Sequence, residues 1–208
     1  MRCVIIAGSP DTDIHFIKST VQTDDYVICA DKGYSYAKAA GILPDMIVGD
    51  FDSCADQLPQ NCEIVRLNVK KDDTDTAVCV NYALERGYDE LVIMGATGGR
   101  LDHSYANLCL LEYISSCGAA GELLSEHEKI MILQNGEYLF HQHLGKTFSV
   151  FPFGCERAVA TIQGAEYPVE RFVFESRITR GLSNIFAEQS RITVHDGKLL
   201  LIINLKKV

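Results

Sequence analysis

Short, uninterrupted apolar runs separated by helix-like stretches fill the chain up to about residue 120, and this rhythm leaves few folds open. The runs fall at 3–7, 26–30, 46–48, 64–67 and 91–94. They are rich in Val, Ile and Leu without polar alternation, as strands covered on both faces require. Two helical patterns lie between and after them. Over 75–86, Ala77, Val80, Ala83 and Leu84 share a stripe, and Gly87 follows as a stop. Over 102–116, Leu101, Tyr105, Leu108 and Leu111 form a second stripe, with Gly118 behind. Such alternation predicts an α/β N-terminal domain with a mainly parallel sheet and helices on both faces.

After Gly121 the rhythm changes. Residues 129–133 are apolar, Asn135-Gly136 is a hairpin signal, and 137–141 reads as the returning strand. Further strands are expected at 147–151, 158–162 and 172–175, and a last hairpin pairs 192–195 with 199–204 across Asp196-Gly197. The expected layout is an α/β domain over 1–122 and an all-β domain, an antiparallel sandwich or small barrel, over 127–208.

Charge and cysteine usage narrow the function classes. A net charge of −9 argues against a nucleic-acid backbone as the main partner, since that affinity comes from clustered Lys and Arg. No apolar run approaches the ~18 residues of a membrane span. The opening stretch Cys3-Val4-Ile5-Ile6-Ala7 is too short for a signal peptide and Gly8-Ser9-Pro10-Asp11 turns at once, so a buried first strand is expected. The eight cysteines contain no C-x-x-C pair. Reduced, buried thiols and a cytoplasmic location are the expectation.

Aspartates recur where parallel strands end. The second strand runs into Asp31; the third runs through Gly49 into Asp50, with Asp52 and Ser53 next. The fourth leads through Lys70-Lys71 to Asp72-Asp73-Thr74-Asp75, and the fifth ends at Thr97-Gly98-Gly99-Arg100 before Asp102. In a doubly wound sheet these positions share the edge where ligands bind. Two unit charges about 4 Å apart repel by about 4 kcal/mol at an effective dielectric near 20, so converging carboxylates call for a cation or for raised pKa values. Oxygen-only sites suit Mg²⁺ or Mn²⁺, and Mg²⁺ commonly shares its ligands with substrate phosphates. Simpler explanations exist for each residue: Asp75 and Asp102 as helix N-caps, Asp50 and Asp52 as turn residues, Asp31-Lys32-Gly33 as a tight loop.

The glycines of Thr97-Gly98-Gly99-Arg100 let backbone N–H groups approach an anion, the following helix adds its dipole, and Arg100 adds charge. Competing motifs fail. Gly145-Lys146-Thr147 imitates the end of a P-loop, but Phe140 occupies the place of its first glycine. His141 and His143 lack a third ligand and read as ordinary strand residues.

Three segments, Gly49-Asp50-Phe51-Asp52-Ser53, Lys71-Asp72-Asp73-Thr74-Asp75 and Gly98-Gly99-Arg100-Leu101-Asp102-His103, resemble in order and spacing the motifs of the thiamine pyrophosphokinase family. Gly181-Leu182-Ser183-Asn184 is similar to the bacterial form of its thiamine-contacting segment. The absence of Trp puts the chain with the bacterial members, although Ile185 stands where many of them have an acidic residue. The resemblance implies pyrophosphoryl transfer from ATP to thiamine, with Mg²⁺ as cofactor, in a homodimer whose thiamine site lies between subunits. It implies a metal and catalytic role for Asp50, Asp52 and Asp75, with Asp72 also catalytic. Asp31, Thr97, Gly98, Gly99, Arg100 and Asp102 would handle ATP, and Lys71, Asp72, Ser183 and Asn184 would meet thiamine. The residues read without the resemblance leave open another Mg²⁺-dependent pyrophosphokinase or nucleotidyltransferase, or a non-catalytic small-ligand module.

Overall fold

In the computed structural model the described residues are 1–50, 59, 61–68 and 73–206. They form two units, Met1–Ser125 and Glu126–Val208.

The first unit carries, in chain order, β1 (Arg2–Ile6), α1 (Ile14–Thr20), β2 (Tyr26–Ala30), α2 (Gly33–Ala40), β3 (Met46–Gly49), β4 (Glu63–Arg66), α3 (Asp75–Glu85), β5 (Glu90–Met94), α4 (Leu101–Ser116) and β6 (Ala120–Leu124). The strands pair in parallel in the order β6-β5-β1-β2-β3-β4. From β1 the chain builds outward through β2, β3 and β4, then returns to lay β5 on the other side of β1. That reversal is the topological switch point of a doubly wound sheet. Cys3, Val4, Ile5 and Ile6 on β1 and Leu91, Ile93 and Met94 on β5 are fully or almost fully buried, which is why these strands read as unbroken apolar runs.

Three features of this unit depart from the sequence expectations. Helices α1 and α2, of seven and eight residues, are too short for a clear stripe; local chemistry marks them instead. Asp13 caps α1 by accepting from the Phe16 N–H at 2.8 Å, and Gly41 closes α2 in the left-handed region at φ 75°. Strand β6 escaped notice because only Leu123 of its five residues is buried. On α4 the expected apolar stripe is partly the wrong face: Leu101 is 84% and Tyr105 60% exposed, while Asn107, Leu111, Ile114 and Ser115 are buried.

The second unit is a β-sandwich of β7 (Glu128–Leu133), β8 (Gly136–Phe140), β9 (Thr147–Pro152), β10 (Arg157–Ala165), β11 (Val169–Glu175), β12 (Asn184–Asp196) and β13 (Leu199–Asn204). One antiparallel layer holds β7-β13-β9 and the start of β12; the other holds β11-β10-β12-β8. β12 therefore serves both layers, pairing Asn184 with Phe148 of β9 and later Ser190 with Phe140 of β8. The Ser190 hydroxyl pins the crossover, accepting from the Ala187 N–H at 2.9 Å and donating to the Gly164 carbonyl. Phe186 sits in the crossover itself, stacked on Phe148 at 4.0 Å and on Phe140 at 5.1 Å.

Both expected hairpins are corrected by this topology. The chain turns at Gly136 and Gly197, but β8 pairs with β12 rather than β7, and β13 pairs with β7 and β9 rather than β12. A turn signal reports a reversal of direction. It does not report which layer receives the returning strand.

Gly33 opens α2 against the end of β1, where an added β-carbon would lie 1.9 Å from the Ile6 carbonyl oxygen. Gly33→Ala is expected to cost about 3 kcal/mol of unfolding free energy through overpacking, measurable by urea titration followed by circular dichroism.

Candidate active site

The carboxyl ends of β1 and β5 meet at the switch point, and their loops are joined by backbone bonds. The Ala7 N–H donates to the Met94 carbonyl at 2.8 Å, and the Ser9 N–H to the Gly95 carbonyl at 2.9 Å. The Ser9 hydroxyl donates to the Thr97 carbonyl, and Thr12 Oγ1 donates to the Ser9 carbonyl at 2.6 Å. From beneath, buried Asn107 donates to the Ala96 carbonyl at 2.7 Å. Gly98 and Gly99 are left-handed at φ 92° and 63°, a conformation that favours glycine. The Gly99 N–H donates to Asp11 Oδ2 at 2.9 Å.

Around these loops lies a cavity of about 620 Å³, lined among others by Ser9, Asp31, Lys32, Asp75, Gly98 and Arg100. Asp31 enters it from a left-handed turn, φ 45°, stabilised by its N–H donating to the Val48 carbonyl at 2.8 Å. Aspartate is one of the few side chains that tolerate this region. Asp75 enters from the first turn of α3. The N-cap there is Thr74, whose hydroxyl accepts from the Ala77 N–H at 3.2 Å, so the capping explanation for Asp75 does not hold. It does not hold for Asp102 either, because α4 begins at Leu101 and Arg100 occupies the cap position.

Arg100 and Asp102 face each other as a forked ion pair, Nη2–Oδ2 at 2.6 Å and Nε–Oδ1 at 3.1 Å. Asp102 Oδ1 also accepts from the His103 N–H at 3.0 Å. The hydrogen bond from Arg100 is the main cause holding the Asp102 carboxyl down at about 2. Both side chains are largely exposed, so the pair contributes little to stability.

The structure thus brings Asp31, Asp75, Gly98, Gly99 and Arg100 to one cavity, with Asp102 paired to Arg100. Thr97 lies within the same loop and offers its carbonyl to Ser9. Asp50 follows β3 directly and is partly buried, outside the residues lining the cavity. Asp52, Ser53, Lys71 and Asp72 lie outside the described residues. Ser183 and Asn184 belong to the second unit. Ser183 is left-handed at φ 59°, and its N–H donates to the Ser149 hydroxyl at 3.1 Å. The Asn184 amide is buried and engaged with backbone: Oδ1 accepts from Tyr167 and Ile185 N–H groups, and Nδ2 donates to the Tyr167 carbonyl at 2.9 Å. Beside it lies a mainly apolar cavity of about 280 Å³, lined by Tyr167, Phe172, Phe174, Arg180 and Leu182 among others.

Sequence reasoning missed Ser9, Asp11, Lys32 and Asn107. Only Asn107 left a usable trace, a polar residue amid the apolar positions of α4. Among the described thiols Cys3, Cys29 and Cys79 are buried, as expected, Cys62 and Cys155 are partly buried, and Cys109 and Cys117 are exposed. Burial pushes the Cys3 thiol up to about 12, which leaves it unreactive.

A doubly wound sheet whose switch-point cavity carries a double-glycine turn, a guanidinium and carboxylates is the arrangement of an α/β protein fitted for a phosphate-bearing ligand. Comparison with known proteins specifies which. Residues 17–118 match the thiamin pyrophosphokinase catalytic domain, and residues 134–199 match the thiamin pyrophosphokinase vitamin B1 binding domain. The thiamine pyrophosphokinase of Bacillus subtilis (strain 168) is 31% identical over 207 residues, spanning 96% of this chain and 95% of its own. A crystal structure of thiamine pyrophosphokinase from Bacillus subtilis matches with a TM-score of 0.88 at 25% identity, covering 99% of this chain and 100% of that one. The enzyme structure from Geobacillus thermodenitrificans, at 24% identity and a TM-score of 0.82 over 98% and 97% of the two chains, shares the fold. This chain belongs to the thiamin pyrophosphokinase family, of the bacterial type, with a catalytic domain followed by a vitamin B1 binding domain.

The Asp102 carboxyl is expected to titrate at about 2 by carbon-detected NMR. In Arg100→Ala it returns toward the ordinary value of about 3.9. Because the folded pKa is depressed, the pair's contribution to stability is present above the unfolded value and is lost as pH falls through the folded one.

Proposed function

We propose that the chain transfers the terminal pyrophosphoryl group of ATP to the hydroxyl of thiamine, giving thiamine diphosphate and AMP. The observation that carries this reading is the cavity at the switch point, where Asp31, Asp75, Gly98, Gly99 and Arg100 converge. In this reading residues 1–122 hold ATP and metal, and 127–208 hold thiamine. The Gly98-Gly99 turn and the start of α4 cradle phosphate oxygens, and Arg100 exchanges Asp102 for phosphate. Thr97 shapes that turn, and Asp31 supports the site from the end of β2.

Among the described residues no group of three His, Cys, Asp or Glu side chains is placed to hold a metal. Two carboxylates, Asp31 and Asp75, do line the cavity. Mg²⁺ is usually held by one or two carboxylates plus substrate phosphates, so this oxygen donor set fits it. The family resemblance would have Asp75 hold it with Asp50 and Asp52; of those described, only Asp75 is among the residues lining the cavity, and when bound Mg²⁺ would neutralise charge on the phosphate oxygens. The thiamine hydroxyl oxygen bonds to the β-phosphorus, the bridging bond to the α-phosphate breaks, and AMP leaves with the bridging oxygen. The hydroxyl proton passes to Asp72 or Asp75. Lys71 and Asp72 sit between the substrates in this scheme, and Ser183 and Asn184 meet thiamine. With its amide committed to Tyr167, Asn184 acts chiefly by shaping the wall of the neighbouring aromatic cavity.

Homodimerisation is part of the proposal. It is supported by the exposed apolar side of α4, where Leu101, Tyr105 and Tyr113 lie in the open. A cytoplasmic location is part of the same reading, in keeping with thiols such as Cys3, Cys29 and Cys79 buried in the core. No helix among the described residues is long and apolar enough to cross a membrane. Sedimentation showing only monomer would overturn the dimer.

Purified protein with ATP, Mg²⁺ and thiamine is expected to yield AMP and thiamine diphosphate in equal amounts; ADP or free pyrophosphate as the product contradicts the reading. Asp75→Ala is expected to lower kcat/KM by about 100-fold or more. Near-normal turnover of that variant at saturating Mg²⁺ would remove Asp75 from the center.

A further inference from the structure

The β1–α1 loop does more than connect two elements. Asp11 in this loop reaches across the switch point, and its Oδ2 accepts the Gly99 N–H at 2.9 Å. The same oxygen lies over Gly98, where an added β-carbon would come within 2.4 Å of it. Pro10 closes on the second glycine in the same way, leaving 2.8 Å between its Cγ and a β-carbon built on Gly99. The Ser9 hydroxyl ties down the Thr97 carbonyl just before the turn. Three consecutive residues of one loop therefore grip three consecutive residues of the other. Asp11 supplies the only charged group in that grip.

We propose that Asp11 is a positioning residue for nucleotide binding. Its carboxylate holds the Gly98-Gly99 turn through the Gly99 N–H, and so fixes where Arg100 departs toward the cavity. Gly98 and Gly99, left-handed in succession, lack the β-carbon that restricts the backbone of other residues. Without an anchor the turn samples other conformations, and ATP must order it on binding. The carboxylate also fills one amide of the turn. The phosphates are then left to the remaining N–H groups, Arg100 and the metal. This inference rests on the ATP-dependent reading above.

The test compares Asp11→Ala with Asp11→Asn in steady-state kinetics and in calorimetric titration with ATP alone. Asparagine keeps an oxygen acceptor for the Gly99 N–H and loses the charge. Alanine is expected to raise KM and Kd for ATP by about tenfold, the scale of one hydrogen bond to a charged group, with KM for thiamine unchanged. Asparagine is expected to restore most of that loss. The proposal is overturned if alanine leaves ATP affinity unchanged, or if it tightens ATP binding, which would make the carboxylate a competitor of phosphate. It is also overturned if asparagine is as impaired as alanine, or if both substrates weaken together. Should alanine fail to fold, asparagine decides alone: ATP affinity close to wild type supports the anchor and a loss like that of a deletion refutes it. If the wild-type protein binds ATP but makes no AMP, the catalytic reading fails, and the titrations still decide the role of Asp11.

Discussion

Parallel pairing of β1 with β2 on one side and β5 on the other is the constraint on which the first unit's chemistry depends. Parallel strands deliver all their carboxyl ends to one edge, so every loop that follows a strand opens on the same side. The loops after β1, β2 and β5 consequently share one cavity with the first turn of α3, although they come from distant parts of the chain. The arrangement depends on close backbone approach at two glycines. Gly33 seats α2 on the end of β1, and Gly49 brings β3 within 3.1 Å of the Asp31 backbone, measured from an added β-carbon.

The cavity gathers charge of both signs: Asp31 and Asp75 against Lys32 and Arg100, with His103 alongside. Arg100 is already engaged by Asp102, yet both partners face water. An exposed ion pair is held together weakly, because each charge is nearly as well solvated apart. In the proposed reading, a multiply charged phosphate chain takes the guanidinium from Asp102 at small cost. In that reading preorganisation falls to the backbone of the glycine turn, where fixed dipoles need no reorganisation when charge shifts.

How much of this was legible in the sequence depended on the range of the forces involved. Strands buried on both faces announced themselves, since β1 and β5 are apolar at nearly every position. The acidic residues at strand ends could be located for the same reason, once parallel order was inferred. The face of α4 was misread because Leu101 and Tyr105 are apolar and exposed while Asn107 is polar and buried, a reversal of the usual code. The partners of β8 and β13 were misassigned because turn chemistry is local and layer choice is not. Asp11 was invisible as a site residue: its contact with Gly99 spans 88 positions and has no local signature.

The crossover of β12 from one layer of the sandwich to the other restricts how homologous chains can drift in length. Asn184 is in register with β9, while Ser190, six positions on, is in register with β8. An inserted or deleted residue between them would shift one pairing against the other and turn inward-facing side chains outward in one layer. Turns at Gly41 and Gly118, where an added β-carbon meets nothing within 4 Å, carry no such coupling. Length variation among relatives should therefore collect at those open turns and be absent from the segment around Phe186, whatever happens to the residue identities there.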